Sequence, residues 1–236
     1  MSGVDTLILE LASKQDTFTL KEAYQSCLVS SDEEKTKIRK RLSVLVGSGK
    51  LVRKGSGTYA LSDMPVFHPQ VSDEVKELYK SLKKEYPFTK ICISEGPWIS
   101  PLLHHLASNQ TIYVEVEKDA SEFVFDFLRS LRVMAFYKPN EDMIYRYINL
   151  DERNIFVKNL VSEAPLQKVD DIPVSTLEKM LVDIYCDPDF SYLQGSEYVR
   201  IVDNAMTIFS INKTKLLRYA KRRGVKEELE IIYNEL

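Results

Sequence analysis

The sequence predicts a mixed α+β protein in two parts, and three observations support that prediction. Three amphipathic helix patterns and two short strands occupy residues 1–62. A segment with two prolines, 63–72, follows and is typical of a linker. Residues 73–236 then alternate short strands with helices and end in a run of helices. We therefore expect an N-terminal winged helix-turn-helix joined to a mixed α/β domain with a helical C-terminal tail.

The first two helices are indicated by the spacing of apolar residues. Apolar side chains recur every three or four positions from Val4 to Leu11, and again from Leu20 to Cys27. Thr19 and Glu22 have the spacing of a capping box, in which each residue bonds the backbone of the other. The second helix is therefore predicted to begin directly after Thr19.

The third helix is basic and is followed by a predicted hairpin about Gly55-Ser56-Gly57. The helix should begin near Ser31 or Asp32. Its apolar face should contain Ile38, Leu42 and Leu45. Basic and hydroxyl side chains spread over the opposite face and the tip of the hairpin, where they can reach phosphates and base edges. The predicted contacts to duplex DNA are Thr36, Lys37, Arg39, Lys40, Arg41, Ser43, Arg53 and Lys54.

Two alternatives to DNA binding remain open for this basic face. Lys and Arg can simply solvate an exposed helix, and some winged helices mediate only protein contacts. Glu33 and Glu34 lie at the helix N-terminus, which often enters the major groove. Residues 1–62 also hold ten Lys and Arg against seven Asp and Glu, a net charge of only +3. The coincidence of a basic face, a third helix and a wing favours DNA.

The composition is that of an ordinary globular protein, with 44% hydrophobic and 28% charged residues. The net charge of −3 leaves −6 on residues 63–236, so basic charge is concentrated in the N-terminal part. No apolar run approaches the ~20 residues of a membrane helix, and no signal-peptide pattern is present. Cys27, Cys92 and Cys186 are far apart and predict reduced core cysteines. We expect a cytoplasmic protein without a metal ion or cofactor.

The second domain is predicted from short alternating patterns. A helix should run from about Val75 to a point before Pro87. Strands are predicted at Lys90–Ser94, Thr111–Glu117, Val133–Tyr137, Met143–Ile148 and Asn154–Val157. Helices are predicted at Ile99–Ala107, over Phe123–Leu131 and through the last third of the chain. There, Ser175 and Glu178 have capping-box spacing before an apolar stripe.

A family resemblance rests mainly on residues Pro173–Asp183. They read Pro-Val-Ser-Thr-Leu-Glu-Lys-Met-Leu-Val-Asp. The chain resembles the AbiEi-type antitoxins, which tend to carry Pro-Val-x-(Ser/Thr)-x-Glu-(Arg/Lys)-x-Leu-x-Asp there. Lys179 stands where that family has Arg. The wing ending in Gly57–Leu61 and a strand–turn–helix at Ile93–Leu106 also resemble the family, the latter more loosely.

The resemblance implies a transcriptional regulator of a viral-defence system. A winged helix would bind the protein's own promoter and repress it. The second domain would counteract a nucleotidyltransferase-like toxin encoded beside it, without necessarily forming a stable complex. We expect no enzymatic activity. One alternative is a protein-interaction module with a degenerate winged helix, and another is a metal-dependent nuclease targeted by the winged helix.

The nuclease alternative depends on Glu95, Glu115 and Glu117. Nucleases of the PD-(D/E)xK type hold Mg²⁺ between carboxylates at a sheet. Their lysine should follow the second acid by two positions, but Lys118 follows Glu117 directly and lies on the opposite face of the strand. The sequence therefore favours solvated strand carboxylates over a catalytic centre.

The remaining polar and aromatic candidates have ordinary structural explanations. His104 and His105 are adjacent on a predicted helix and cannot easily share a metal ion. Trp98 follows Gly96-Pro97 and is interpreted as a packing anchor. A basic cluster near the C-terminus either favours the end of a helix or offers a second surface for a polyanion. That cluster consists of Lys213, Lys215, Arg218, Lys221, Arg222, Arg223 and Lys226.

Overall fold

The protein divides into two compact units in a computed structural model that describes residues 3–104 and 109–236. The first unit comprises Met1–Phe67 and Ile208–Asn212, and the second comprises His68–Thr207 and Lys213–Leu236. Both contain helices and strands, which confirms the mixed α+β class. The division falls inside the predicted linker 63–72. The sequence analysis did not predict that residues 208–212 belong to the first unit.

The first unit contains three helices and a three-stranded sheet. In chain order these are α1 (Gly3–Ser13), β1 (Phe18–Thr19), α2 (Leu20–Ser26), α3 (Asp32–Gly47), β2 (Leu51–Gly55) and β3 (Thr58–Leu61). The sheet order is β1-β3-β2, and both pairings are antiparallel. Apolar side chains from all three helices and two strands form the core: Ile8, Ala12, Phe18, Ala23, Ile38, Leu42, Leu45 and Leu51.

Two capping boxes fix where the second and third helices begin. The Thr19 hydroxyl accepts from the Glu22 N–H, and the Glu22 carboxylate accepts from the Thr19 N–H at 2.6 Å, as the sequence predicted. Ser31 and Glu34 make the same reciprocal pair before α3. Each box satisfies backbone donors that a helix N-terminus leaves unpaired.

The second unit is built on a six-stranded sheet with helices around it. Its elements are α4 (Asp73–Glu85), β4 (Ile91–Glu95), β5 (Ile112–Val116), α5 (Ser121–Ser130), β6 (Ala135–Tyr137), α6 (Glu141–Tyr147), β7 (Ile155–Asn159), β8 (Leu166–Val169), β9 (Ile172–Ser175), α7 (Leu177–Cys186), α8 (Ser196–Ile208), α9 (Lys213–Arg223) and α10 (Lys226–Glu235). Short 3-10 helices occupy Gly96–Leu102, Lys118–Ala120 and Pro188–Leu193.

The strand order of this sheet is β6-β7-β5-β4-β9-β8. Strands β5, β6 and β7 are parallel, β4 is antiparallel to β5, and β4 and β9 are parallel. Every residue of β4 and of β5 is buried. The alternation expected for Thr111–Glu117 is therefore absent, because both faces of β5 are covered.

Two predicted elements of the second domain were wrong. Met143–Ile148 is largely helical, because the Asn140 side chain accepts from the Met143 N–H and caps α6. The helix predicted at Ile99–Ala107 is a 3-10 helix that ends at Leu102, with Pro101 inside it. Residues 105–107 of that prediction lie outside the described residues.

The predicted start of α7 was also displaced by one residue. Thr176, not Ser175, caps α7, since its hydroxyl accepts from the Lys179 N–H. Ser175 belongs instead to β9, which pairs with β8 in a hairpin that the sequence analysis did not predict. Asp170 and Asp171 form its two-residue turn with φ of 50° and 63°, a left-handed pair that Asp tolerates better than most residues.

Candidate functional site

The exposed face of α3 carries most of the predicted DNA-contacting residues. The Lys37 Nζ lies 3.5 Å from Oε1 of Glu33, one turn earlier in the helix. The Thr36 hydroxyl donates to the Asp32 carbonyl at 2.9 Å. The predicted contacts that are exposed on α3 and β2 are Thr36, Lys37, Arg39, Lys40, Ser43, Arg53 and Lys54. The structure therefore brings seven of the eight predicted residues to the surface of the first unit.

Two arginines of this set are held by neighbouring side chains. Arg41 is half-buried, and its Nε donates at 2.7 Å to Asp5 of α1, which is only 4% exposed. A second guanidinium nitrogen of Arg41 contacts the other Asp5 oxygen. The Arg39 Nε donates at 2.7 Å to the Tyr24 hydroxyl of α2. Arg41 thus ties α3 to α1, whereas Arg39 stays exposed above the second helix.

The end of α3 that precedes this basic surface is acidic. Asp32, Glu33 and Glu34 all lie in the first turn. Glu34 is held by the capping box, and its pKa lies below the usual value because the Ser31 and Ser30 N–H groups and the Ser31 hydroxyl bond the carboxylate. Glu34 therefore remains ionised, and the three carboxylates of this turn would disfavour a phosphate at the very start of α3.

The second unit contains a buried charge cluster at the junction of sheet and helices. Lys179 is 0% exposed, and its Nζ lies 2.5 Å from Glu115 Oε1 and 2.6 Å from Asp183 Oδ2. The Tyr219 hydroxyl donates to the other Asp183 oxygen at 2.9 Å. We define the buried charge cluster as Glu115, Lys158, Lys179, Asp183, Asp187, Asp189 and Arg223.

The cluster is assembled from the sheet and from three helical segments. Glu115 and Lys158 are register partners on β5 and β7, so they lie side by side. The Lys158 ammonium bonds Asp187 and Asp189, each at 2.5 Å, in the segment after α7. Arg223, the last residue of α9, bonds Asp183 at 2.6 Å and also contacts Asp187. Each cation therefore joins two carboxylates.

Electrostatics keep Lys179 and Asp187 of this cluster charged despite their burial. Burial lowers the pKa of Lys179, but Asp183 and Glu115 outweigh burial and hold the pKa well above its usual value. Burial raises the pKa of Glu115 against the opposing effect of Lys179. Burial also raises the pKa of Asp187, but Lys158 and Arg223 outweigh it and bring the pKa down to about 2. Lys179 and Asp187 are consequently charged at neutral pH.

The interpretation of the strand glutamates as solvated was wrong for Glu115 and Glu95. Glu115 is buried in the charge cluster, and Glu95 is buried against Arg153, whose guanidinium lies 2.9 Å away. Glu117 remains at the surface, 3.5 Å from Lys90. A clue was present in the sequence: Lys179 and Asp183 interrupt a stretch of α7 that is otherwise almost entirely apolar.

The nuclease alternative lacked a lysine beside its carboxylates, and in the structure Lys179 of α7 lies beside Glu115. The carboxylates near Lys179 are, however, already bonded. Glu115 contacts Lys179, and Asp183 is shared by Lys179, Arg223 and Tyr219. Within residues 3–104 and 109–236, no group of three or more His, Cys, Asp or Glu side chains could hold a metal ion. The geometry accounts for these residues as ion pairs.

The other candidates have structural surroundings of their own, and among them only Arg223 belongs to the buried charge cluster of the described residues. Trp98 is buried, and its Nε1 donates to the Gln70 carbonyl at 3.0 Å, which fits the packing role. The three cysteines are free thiols. His104 is exposed, while His105 lies outside the described residues. Within the C-terminal basic cluster, Arg223 is taken up by ion pairs, and Arg222 is exposed with its Nε 2.6 Å from the Ser162 hydroxyl.

Comparison with known proteins places the chain in one family. It belongs to the family of unknown function DUF6577, whose model matches residues 37–236, from within α3 to the C-terminus. No curated protein matches the chain. A solved structure of the RV2827C protein from Mycobacterium tuberculosis is 15% identical and superposes with a TM-score of 0.30, covering 94% of this chain and 72% of that one.

One further property concerns membranes. Among the helices of residues 3–104 and 109–236, none combines the length and the apolar character that crossing a membrane requires.

The charge cluster predicts a specific pH dependence for Asp187. Its pKa of about 2 lies below the ordinary value of 3.8. Ionised Asp187 therefore stabilises the fold above about pH 4, and this contribution is lost as the pH falls through 2. Asp187→Asn should lower the free energy of unfolding at pH 7 by about 2 kcal/mol. Urea unfolding followed by circular dichroism should show that this difference shrinks from pH 4 towards pH 2.

The matched control for this measurement is Asp203→Asn, which removes an exposed carboxylate from α8. Its effect should stay within about 0.5 kcal/mol at every pH. A difference between wild type and Asp187→Asn that stays constant down to pH 2 would contradict the proposed ionic role.

Proposed function

We propose that the first unit is a winged helix that binds duplex DNA through α3 and the β2–β3 hairpin. Three features support this proposal. The elements follow in the order α1-β1-α2-α3-β2-β3, and β1 pairs with β3 so that the hairpin is joined to the helices. The third helix exposes basic and hydroxyl side chains along one face. The hairpin exposes Arg53 and Lys54. Such a surface can bond phosphates and base edges together.

The single observation that carries the proposal is the placement of Lys37, Lys40 and Ser43. Each lies on the exposed face of α3, opposite the buried Ile38 and Leu42. An exposed ammonium gains most from a polyanion, because DNA releases condensed counterions when a lysine neutralises a phosphate. Arg41 is left out of the proposed interface, because its guanidinium is bonded to Asp5.

The acidic first turn of α3 constrains how this helix would meet DNA. Asp32 and Glu33 are exposed and would be repelled by phosphates. The middle of α3, from Thr36 to Ser43, is therefore the proposed region of closest approach. The hairpin residues Arg53 and Lys54 would add contacts to the neighbouring backbone.

The DNA-binding proposal predicts the behaviour of a triple variant. Full-length protein should bind DNA from the promoter of its own gene, and Lys37→Ala/Arg39→Ala/Lys40→Ala should abolish the shift in an electrophoretic mobility assay. If all three contact phosphates, each loss should reduce the log–log salt slope by about 0.9. Because the three side chains are exposed, the circular dichroism spectrum and melting temperature should remain unchanged.

A charge-matched control is Lys80→Ala/Lys84→Ala/Lys90→Ala, which removes three exposed lysines from the second unit. This variant should bind the promoter like wild type. If the α3 variant is folded and still binds with wild-type affinity, α3 is not the DNA surface. That result would favour the protein-interaction alternative.

We further propose that the protein is a non-catalytic autorepressor and antitoxin resembling the AbiEi type, acting in the cytoplasm. The support is the match at Pro173–Asp183, which forms β9 and α7. Lys179 and Asp183 of that motif belong to the buried charge cluster, so the motif also has a structural role in the second unit. The protective activity is therefore assigned to the second unit and the promoter binding to the first.

This division of labour should be tested in the full chain. The segment 208–212 belongs to the first unit, so a fragment cut near Pro69 would separate it from its packing partners. The α3 triple variant should still protect cells from a nucleotidyltransferase-like toxin encoded beside its gene, while derepressing a promoter–reporter fusion. Growth and reporter output in one strain measure both activities. If a folded α3 variant loses protection as well as repression, the proposed division is wrong. It is also wrong if no gene for such a toxin lies beside the gene of this protein.

A further inference from the structure

The second unit contains an open pocket outside the carboxyl ends of its parallel strands. Strands β5, β6 and β7 all end at this edge of the sheet. Residues at or next to these strand ends line a pocket of about 330 Å³, namely Glu115 on β5, Lys138 after β6, and Lys158 and Asn159 on β7. In open α/β sheets this edge is where small ligands bind, and the volume lies in the range of ligand pockets. The charged residues that line this pocket are the cations Lys138, Lys158 and Arg223 and the carboxylates Glu115, Asp187 and Asp189.

Two of these three cations are neutralised by carboxylates. Lys158 bonds Asp187 and Asp189, and Arg223 bonds Asp183 and Asp187. Lys138 differs, because in the described part of the chain no carboxylate lies within ion-pair distance of its ammonium. Its Nζ is 2.6 Å from the Tyr137 hydroxyl and 4.4 Å above the Tyr137 ring. Lys138 is therefore available to an anionic group in the pocket.

An unsatisfied acceptor lies in the same wall. The side-chain oxygen of Asn159, the last residue of β7, is buried and accepts no hydrogen bond from residues 3–104 or 109–236. Buried polar atoms are almost always paired, so this oxygen requires a donor. Rotation of the Asn159 side chain towards the pocket would let a hydroxyl or amino group of a ligand supply one.

A second open pocket lies beside the first. Asn140 lines both, and the second has a volume of about 590 Å³. Its walls include the aromatic rings of Tyr145 on α6 and Tyr192 in the 3-10 helix after α7. Tyr145 is 90% exposed, so its ring is open to a ligand. Exposed rings beside a cation are a platform on which nucleobases stack.

We propose that these two neighbouring pockets together bind a nucleoside monophosphate. The phosphate contacts Lys138, and a hydroxyl or amino group donates to Asn159 Oδ1. The base stacks on Tyr145. One ligand class supplies an anion to the Lys138 ammonium, a donor to Asn159 Oδ1 and a base to the exposed ring of Tyr145. The site consists only of residues of the second unit and shares none with the proposed DNA surface.

The test is isothermal titration calorimetry of the full-length protein. The titrants are AMP, GMP, CMP and UMP, their nucleosides, and inorganic phosphate. At least one monophosphate should bind about ten-fold more tightly than its nucleoside and than phosphate, because both halves of the site are then engaged. Lys138→Ala should lower that affinity about ten-fold, the effect expected for a lost charged hydrogen bond. Lys138→Arg should retain most of it.

Two pairs of variants distinguish binding at this site from nonspecific effects: Tyr145→Ala with Tyr147→Ala, and Lys138→Ala with Lys84→Ala. Tyr145→Ala should weaken binding of the monophosphate but not of inorganic phosphate. Tyr147→Ala should change neither, since Tyr147 lies on the same helix, is 76% exposed and does not line the pocket. Lys84→Ala, an exposed lysine of α4, should likewise have no effect.

Three outcomes would overturn the proposal. The first is no measurable binding of any monophosphate. The second is monophosphate binding that is insensitive to Lys138→Ala and Tyr145→Ala. The third is inorganic phosphate binding as tightly as every monophosphate, which would reveal an anion site only. None of these results bears on promoter binding by the first unit, so the two proposals fail separately.

Discussion

The second unit depends on the ammonium of Lys179, which is completely buried between Glu115 and Asp183. An unpaired charge in such a position costs several kcal/mol, so the fold forms only if sheet and helix arrive in the correct register. The ion pair of Lys179 with Glu115 connects α7 to β5, and the ion pair of Arg223 with Asp183 connects α9 to α7. Lys158 then fixes the segment after α7 through Asp187 and Asp189. The helical layer is thus positioned on the sheet by charge as well as by apolar packing.

Charged residues consequently have different roles in the two units. In the first unit most basic side chains of α3 are exposed, whereas Arg41 is bonded to the buried Asp5. In the second unit, Lys158 and Arg223 line the pocket and are paired with carboxylates. Lys138 also lines the pocket, but within the described residues it has no carboxylate partner. This contrast supports an outward-facing nucleic-acid surface in the first unit and a small-ligand pocket in the second.

The sequence predicted the first unit better than the second, for physical reasons. Local signals suffice for α2 and α3, since Thr19 with Glu22 fixes a helix start and Ile38, Leu42 and Leu45 repeat with helical period. The sheet of the second unit depends on distant contacts. Glu115 looked like a solvated strand residue because its partner Lys179 lies 64 positions away. The β8–β9 hairpin was missed because Asp170-Asp171 replaces the glycine-containing turns that signal a hairpin.

The most direct test of this account is the free energy of unfolding of Lys179→Met, measured by urea denaturation. Met removes the charge with little change in length, and it leaves Glu115 and Asp183 buried without their shared cation. We expect a loss of about 3–5 kcal/mol at pH 7, with partial recovery when Glu115→Gln is added. A Lys179→Met protein within about 0.5 kcal/mol of wild type would contradict the claim that this ion pair organises the second unit.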